Sequence, residues 1–352
     1  MISICMIVKN AEKHLAGCLK ALMPLGYEIV VVDTGSTDGT KQIAGEYTDN
    51  VYDFVWQQYF SAARNFSISK ASNEYILVID SDEVLEHFNK KEVERLIRQN
   101  PEGVGRLVIK DRFERNGEVF RVNSRVARLF SKRLYQYKGK IHEQPAHIGE
   151  GEIRYYNIPV EVDHRGYDGD LETRKKKTDR NITILMKQLE NEGDDPYVLY
   201  QLGKSYYMQE DYVTACQWFD KALYFDLDTR LEYVQDMVES YGYSLLNSGQ
   251  YEKAMQLLGV YDEFAVSADF VFLMGLIYMN NAKFTEAIGE FKKATKMEYS
   301  KMDGVNSYRA YYNIGVIYEC LGQIEKAKRY YSMCDDYKPA LDRLKGSIKY
   351  FV

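Results

Sequence analysis

The chain has 352 residues, 45% hydrophobic and 28% charged, with a formal net charge of −6; that length favours two domains or three small ones, and the mild acidity offers no basic surface for a nucleic-acid partner. No window approaches the roughly 18 consecutive apolar residues of a membrane helix, and the opening MISICMIVKNAEKHL has no basic stretch ahead of a long apolar one. With five cysteines and no CxxC pair, the expectation is a cytoplasmic protein with buried thiols and no integral membrane segment.

Residues 1–165 alternate between two patterns. Short β-branched runs fall at Ile2–Val8, Glu28–Asp33, Tyr75–Asp80, Gly105–Lys110 and Ile158–His164, and helical stretches at Ala11–Leu22, Thr40–Glu46 and Ala62–Lys70 intervene. Strands separated by helices of this length predict a layered, mostly parallel α/β sheet. Three of the runs end at polar residues: Lys9-Asn10, Asp33, and Asp80-Ser81-Asp82. Ligands of open α/β sheets sit outside the carboxyl ends of the strands, so these ends point to one cleft. Residues 112–150 alternate without long helices and read as a β-rich segment.

Residues 169–195 read as a connecting helix, with Ile182, Leu185, Met186 and Leu189 spaced by three and four. From Pro196 to about 345 a repeat appears. In LYQLGKSYYMQEDYVTACQWFDKAL, residues Leu199, Leu202, Gly203, Tyr206, Ala215, Phe219 and Ala222 fit every offset of a tetratricopeptide repeat. The glycine recurs at Gly242, Gly275 and Gly315, and the alanine at Ala254, Ala287 and Ala327. That register predicts about four helix hairpins whose small residues let paired helices approach and whose stacking buries a continuous core. Many of the 31 tyrosines fall in this half.

The chemistry concentrates in IDSDE, residues 79–83, where a strand tip carries two carboxylates. Hard divalent cations prefer carboxylate oxygens and suit diphosphates. A cation there would neutralise the charge that grows on a departing diphosphate. The competing reading is that Asp80 and Asp82 only cap a following helix.

Four blocks decide between these readings: CMIVKNAE (5–12), VVVDTGSTDGT (30–40), FSAARNFSISKASNEYILVIDSDEVL (60–85), and GKIHEQP (139–145) with VDHRGY (162–167). In order and spacing they resemble family 2 glycosyltransferases of the GT-A fold, in the subgroup that carries tetratricopeptide repeats behind the catalytic domain. Ala11 departs from that subgroup, which usually has an acidic residue there, and so leaves the role of Glu12 open. The resemblance implies a GT-A domain over residues 1–168. It implies that Val8, Asp33, Arg64, Asp80, Ser81 and Arg128 bind the donor, with Asp33 on the nucleobase or ribose, Arg64 on the uracil or diphosphate, Asp80 on the ribose or the metal, and Arg128, Arg125 or both near the diphosphate or acceptor. It implies that Asp82 and His164 hold Mg²⁺ or Mn²⁺. Glu143 matches the position of the base that takes the acceptor's proton, with His142 as neighbour or substitute.

The expected activity is inverting, metal-dependent transfer of a sugar from a nucleotide-diphosphate sugar, a UDP-sugar first, to an acceptor. The resemblance implies a peptide Cys or Ser side chain, because similar repeat-bearing enzymes glycosylate ribosomal peptides and such repeats commonly bind peptides. It equally admits lipopolysaccharide or cell-surface glycan precursors, with the repeats used for a homodimer. A noncatalytic peptide-binding scaffold is the reading from another class. It would show loss of the second carboxylate, the late histidine or the base, and all three are present.

Overall fold

The computed structural model describes residues 1–115, 118–165 and 171–346; Gly166 and Tyr167 of the VDHRGY block lie outside them. The chain divides into two compact units, Met1–Thr173 and Arg174–Val352.

The first unit runs β1 (Ile2–Val8), α1 (Glu12–Leu22), β2 (Glu28–Asp33), α2 (Thr40–Gly45), β3 (Val51–Asp53), α3 (Phe60–Lys70), β4 (Tyr75–Val78), β5 (Glu83–Phe88), α4 (Lys90–Gln99), β6 (Val104–Arg115), β7 (Glu118–Ser131), β8 (Tyr135–Lys138), β9 (Gln144–His147) and β10 (Tyr155–His164). Among the described residues, eight strands form one mixed sheet in the order β3-β2-β1-β4-β7-β6-β10-β5, and β8 pairs with β9. β3, β2, β1 and β4 are parallel, and β10 is parallel to β6. β7 runs against both β4 and β6, and β5 against β10. The carboxyl ends of β1, β2, β4, β6 and β10 therefore share one edge.

Burial explains the central strands. β1 is covered on both faces, as parallel strands between helices must be. Ile2, Ile4, Met6 and Val8 join Leu15, Leu19 and Leu22 of α1 in one core, while Cys5 joins Val30, Val32, Ile76 and Val78 in the other. The spacing of Leu15, Cys18, Leu19 and Leu22 gives α1 its single buried stripe. Burial also raises the Cys5 thiol to about 12, and the cysteines are free, four of them buried.

The β4–β5 connection shapes the site. β4 stands fourth in the sheet and β5 eighth, yet residues 79–82 alone join them. A flat sheet would put these strands about 19 Å apart at roughly 4.8 Å per strand, near the full reach of that connection. The sheet curls so that its far edge returns toward the carboxyl end of β4. The strand expected to run to Asp80 ends at Val78, and β5, not a helix, follows the two aspartates. The helix-cap reading of Asp80 and Asp82 is thereby removed.

The second unit takes in all but the first three residues of α5 (Leu171–Glu192), followed by α6 (Pro196–Met208), α7 (Tyr212–Ala222), α8 (Glu232–Asn247), α9 (Tyr251–Ala254), a 3-10 segment (Met255–Val260), α10 (Tyr261–Phe264), α11 (Ala268–Asn280), α12 (Phe284–Ala294), α13 (Tyr308–Cys320), α14 (Ile324–Tyr331) and α15 (Lys338–Lys345). Four hairpins stand in register with the repeat: α6/α7, α8/α9, α11/α12 and α13/α14. Asp195 and Asp211 cap α6 and α7 through their side chains. A Cβ built on Gly203, Gly275 or Gly315 would lie 2.5–2.6 Å from the ring of Phe219, Phe291 or Tyr331. At Gly242 it would meet Leu273 and Leu257 instead, because the second helix of that hairpin is cut to one turn. Among the described residues, no helix is long and apolar enough to cross a membrane.

Candidate active site

β2 delivers Asp33 to the shared edge, beside Val8 in the β1–β2 register. The Asp33 side chain is buried, and Oδ1 accepts the backbone N–H groups of Gly35 (2.9 Å) and Ser36 (2.8 Å). Gly35 has φ +100°, where a side chain would be strained, and this lets the turn fold back onto the carboxylate. Oδ2 is buried with no hydrogen-bond partner. The carboxylate thus holds the loop through one oxygen alone. The Val8 carbonyl is occupied, accepting from the Thr34 N–H (2.9 Å) and hydroxyl (3.0 Å). Glu12 fastens the same loop, with Oε2 accepting from the Gly39 N–H at 2.8 Å.

Arg64 reaches the site from α3. Its Nη1 and Nη2 donate to Asp80 Oδ1 (2.9 Å) and Oδ2 (3.2 Å), and its Nε donates to Glu143 Oε1. The guanidinium lies over the Tyr137 ring, 5.4 Å from its centroid. Arg128, from β7, donates through Nη2 to both Asp80 Oδ2 (2.9 Å) and Glu83 Oε1 (3.1 Å). Burial disfavours the charged Asp80 carboxylate, but Arg128 and Arg64 outweigh it and hold that carboxyl well below the usual range. Glu83 goes the other way: burial dominates and raises it despite Arg128. Two buried polar atoms here, Tyr137 Oη and Arg128 Nε, have no hydrogen-bond partner. Asn65 plays the structural part its neighbour does not. Its amide donates to the Tyr137 carbonyl and accepts from the Tyr137 N–H, pinning β8 to α3.

Ser81 and Asp82 form the turn into β5. His164 ends β10, with Nε2 3.5 Å from Asp82 Oδ2 and Nδ1 2.6 Å from Asp111 Oδ1. Burial opposes a charge on the imidazole, but the two carboxylates prevail and raise it to about 10. Asp82 and His164 are close enough that both would hold one ion, which would replace the proton on the His164 Nε2. Asp111 on the far nitrogen would orient His164 in a ligand role, as carboxylates generally do for metal-binding histidines. Among the described residues, no group of three or more His, Cys, Asp or Glu converges as a metal site. Asp82 and His164 would therefore be the two protein ligands of an ion held here.

Glu143 and His142 follow Gly139 in the connection between β8 and β9, with His142 at φ +52°. The Glu143 side chain is nearly buried against Arg64. The structure therefore joins Arg64, Asp80, Arg128 and Glu143 in one ion-pair network, and brings Asp82 and His164 together. Asp33 is tied to its own loop. Glu83, Asp111 and Tyr137 are participants the sequence reading missed. Glu83 sits inside IDSDE and was within reach of the motif, whereas Asp111 and Tyr137 carry no local signal.

Comparison with known proteins gives most of the N-terminal unit a family. Residues 3–155 match the model of glycosyl transferase family 2, and residues 268–300 and 308–341 each match a tetratricopeptide repeat. The chain is 28% identical over 220 residues to the SPbeta prophage-derived glycosyltransferase SunS of Bacillus subtilis, covering 62% of this chain and 52% of that protein. It is 29% identical over 231 residues to a TPR repeat-containing protein of Synechococcus elongatus, covering 63% of this chain and 56% of that one. It is 30% identical over 108 residues to the lipopolysaccharide core biosynthesis glycosyltransferase LpsC of Rhizobium meliloti, covering 30% and 40%. The chain thus spans about half the length of the first of these relatives. Its N-terminal unit carries a glycosyl transferase family 2 domain, and tetratricopeptide repeats follow it.

Proposed function

We propose that the chain is an inverting, metal-dependent glycosyltransferase that moves a sugar from a UDP-sugar to a peptide Cys or Ser side chain. The observation that carries this reading is the Asp82–His164 pair, 3.5 Å apart, on the strand edge that also holds Asp33 with its unpartnered Oδ2. The Asp33 oxygen is the acceptor for a nucleobase or ribose donor group. Asp82 and His164 would hold Mg²⁺ or Mn²⁺, which supplies charge neutralisation for the departing diphosphate. Arg64 and Arg128 orient Asp80 at the tip of β4.

Glu143 is the base in this reading. Arg64 engages its Oε1 and fixes the carboxylate in place, so that Oε2 can take the acceptor proton as the nucleophile attacks the anomeric carbon. His142, adjacent and on a strained backbone, is the substitute. The repeats hold an extended acceptor, a use for which stacked helix hairpins are suited.

The alternative acceptor is a lipopolysaccharide or cell-surface glycan precursor, with the repeats serving a homodimer. The likeness to LpsC supports it. A screen of UDP- and GDP-sugars for donor hydrolysis tests the donor half. Hydrolysis should appear with Mn²⁺ or Mg²⁺, stop in EDTA and return with excess metal. Turnover indifferent to EDTA would remove the metal from the mechanism, and no turnover of any donor would favour a noncatalytic scaffold. Intact-mass shifts on candidate peptides, against a glycan-precursor panel, decide the acceptor.

A further inference from the structure

Glu83 is almost fully buried, and its backbone N–H and one carboxyl oxygen are spent on the turn that precedes it. Oε2 accepts the Asp80 backbone N–H at 2.8 Å, and the Glu83 N–H donates to the Asp80 carbonyl at 3.0 Å. Oε1 accepts from Arg128 Nη2, the same nitrogen that donates to Asp80 Oδ2. Across the β5–β10 ladder, Glu83 stands directly opposite His164. The turn is gripped from that strand too, since the Arg165 N–H donates to the Asp82 carbonyl at 2.8 Å. The Glu83 side chain thus holds the backbone of Asp80 and the arginine that orients its carboxylate, while its backbone stands across the ladder from the histidine.

A merely structural turn does not call for this arrangement. The Asp80 N–H needs only a neutral acceptor, which glutamine would supply. A third carboxyl group beside Asp80 and Glu143, with two arginines between them, gives the buried network more acids than bases. Such a group is costly to bury unless it is fully paired.

We propose that Glu83 is a positioning residue that sets the Asp80-Ser81-Asp82 turn against His164, so that Asp82 and His164 can share one cation. The inference rests on the donor reading above. Residues that orient metal ligands typically change metal affinity or activity by about 10–100-fold when replaced.

The test uses the full chain and follows binding of Mn²⁺ with UDP by calorimetry, alongside thermal melting. Glu83→Gln keeps the acceptor for the Asp80 N–H and sets an amide N–H, in place of Oε1, against Arg128. Its affinity for Mn²⁺ with UDP should fall by about 10–100-fold. Glu28→Gln is the control. Glu28 is also a carboxylate clamp, accepting from the Ser72 N–H (2.8 Å), the Ser72 hydroxyl (2.9 Å) and the Ser3 hydroxyl, but at the start of β2, away from the shared edge. That variant should melt earlier with unchanged affinity. Should Glu83→Gln fail to fold, Arg128→Lys breaks the shared Nη2 bridge and should show the same loss. Wild-type affinity in the folded Glu83 variant, or in Arg128→Lys if it must stand in, overturns the inference and leaves the donor reading intact. So does an equal loss in Glu28→Gln. A wild-type chain that binds no UDP with Mn²⁺ overturns the donor reading itself, and the role assigned to Glu83 with it.

Discussion

Asp33 and Asp82 are both carboxylates at strand ends, yet their surroundings give them opposite sensitivities. Asp33 Oδ1 carries the turn at Gly35 and Ser36, while Oδ2 carries nothing in the fold. Asp33→Asn keeps an oxygen for the turn and replaces the free carboxylate oxygen with an amide. Its melting temperature should match wild type within a few degrees, while UDP affinity falls at least tenfold, on the order expected for one lost hydrogen bond to a charged group. Asp33→Ala should lose both. Asp82 is one-quarter exposed, and its backbone carbonyl, not its side chain, receives the Arg165 N–H. Asp82→Ala should therefore abolish donor hydrolysis and shift stability by less than about 1 kcal/mol. A large drop in melting temperature would return Asp82 to a structural role.

At the scale of elements, the glycines of the repeats make the sharpest prediction. In Gly275→Ala the new methyl would sit 2.6 Å from the Phe291 ring, and Phe291 is fully buried. The α11/α12 hairpin must open, at a cost of about 1–3 kcal/mol for overpacking. Gly289 lies on the same hairpin, in the interior of α12, with nothing within 4 Å of a built Cβ. Gly289→Ala should stabilise by about 0.4–1 kcal/mol, since a helical glycine loses backbone entropy that alanine does not. Denaturant titration of the pair measures both signs in one element.

The repeat elements were legible because each position serves its neighbour a fixed number of residues away. The central strands were legible for a similar reason, since β1 and β2 are continuous apolar runs. α4 and β5 were not. α4 buries only Val93 and Ile97 on a charged helix, and β5 sits at the sheet edge with an irregular pattern of burial. The site divides in the same way. Asp33, Asp80 and Asp82 stand where strands end, a local signal. Asp111 reaches His164 only because β6 pairs with β10, and Tyr137 lies under Arg64 only because Asn65 pins β8 to α3. Those relations are made by tertiary pairing across dozens of residues, and no spacing in the chain encodes them.

For the molecule as a whole, the two units carry separate cores. The first is built on Ile4, Leu15 and Val31 together with Val30 and Ile76, and the second on Phe219, Met237, Phe270 and Phe291. Every residue assigned to the donor lies within Met1–Thr173. Units with their own cores can open independently, so chemistry and acceptor binding should be separable by temperature. In Gly275→Ala the repeats should lose stability and the first unit should not, which should separate two melting transitions. Between the two melting transitions of that variant, donor hydrolysis should persist near its wild-type rate. Transfer to an acceptor peptide should collapse there, while wild type at the same temperature retains both. If the repeats instead serve only a homodimer, sedimentation should show monomers in that window with transfer to a glycan precursor undiminished. Loss of hydrolysis in step with the repeats would mean that the second unit takes part in the donor half, and the assignment of that half to the first unit alone would fail.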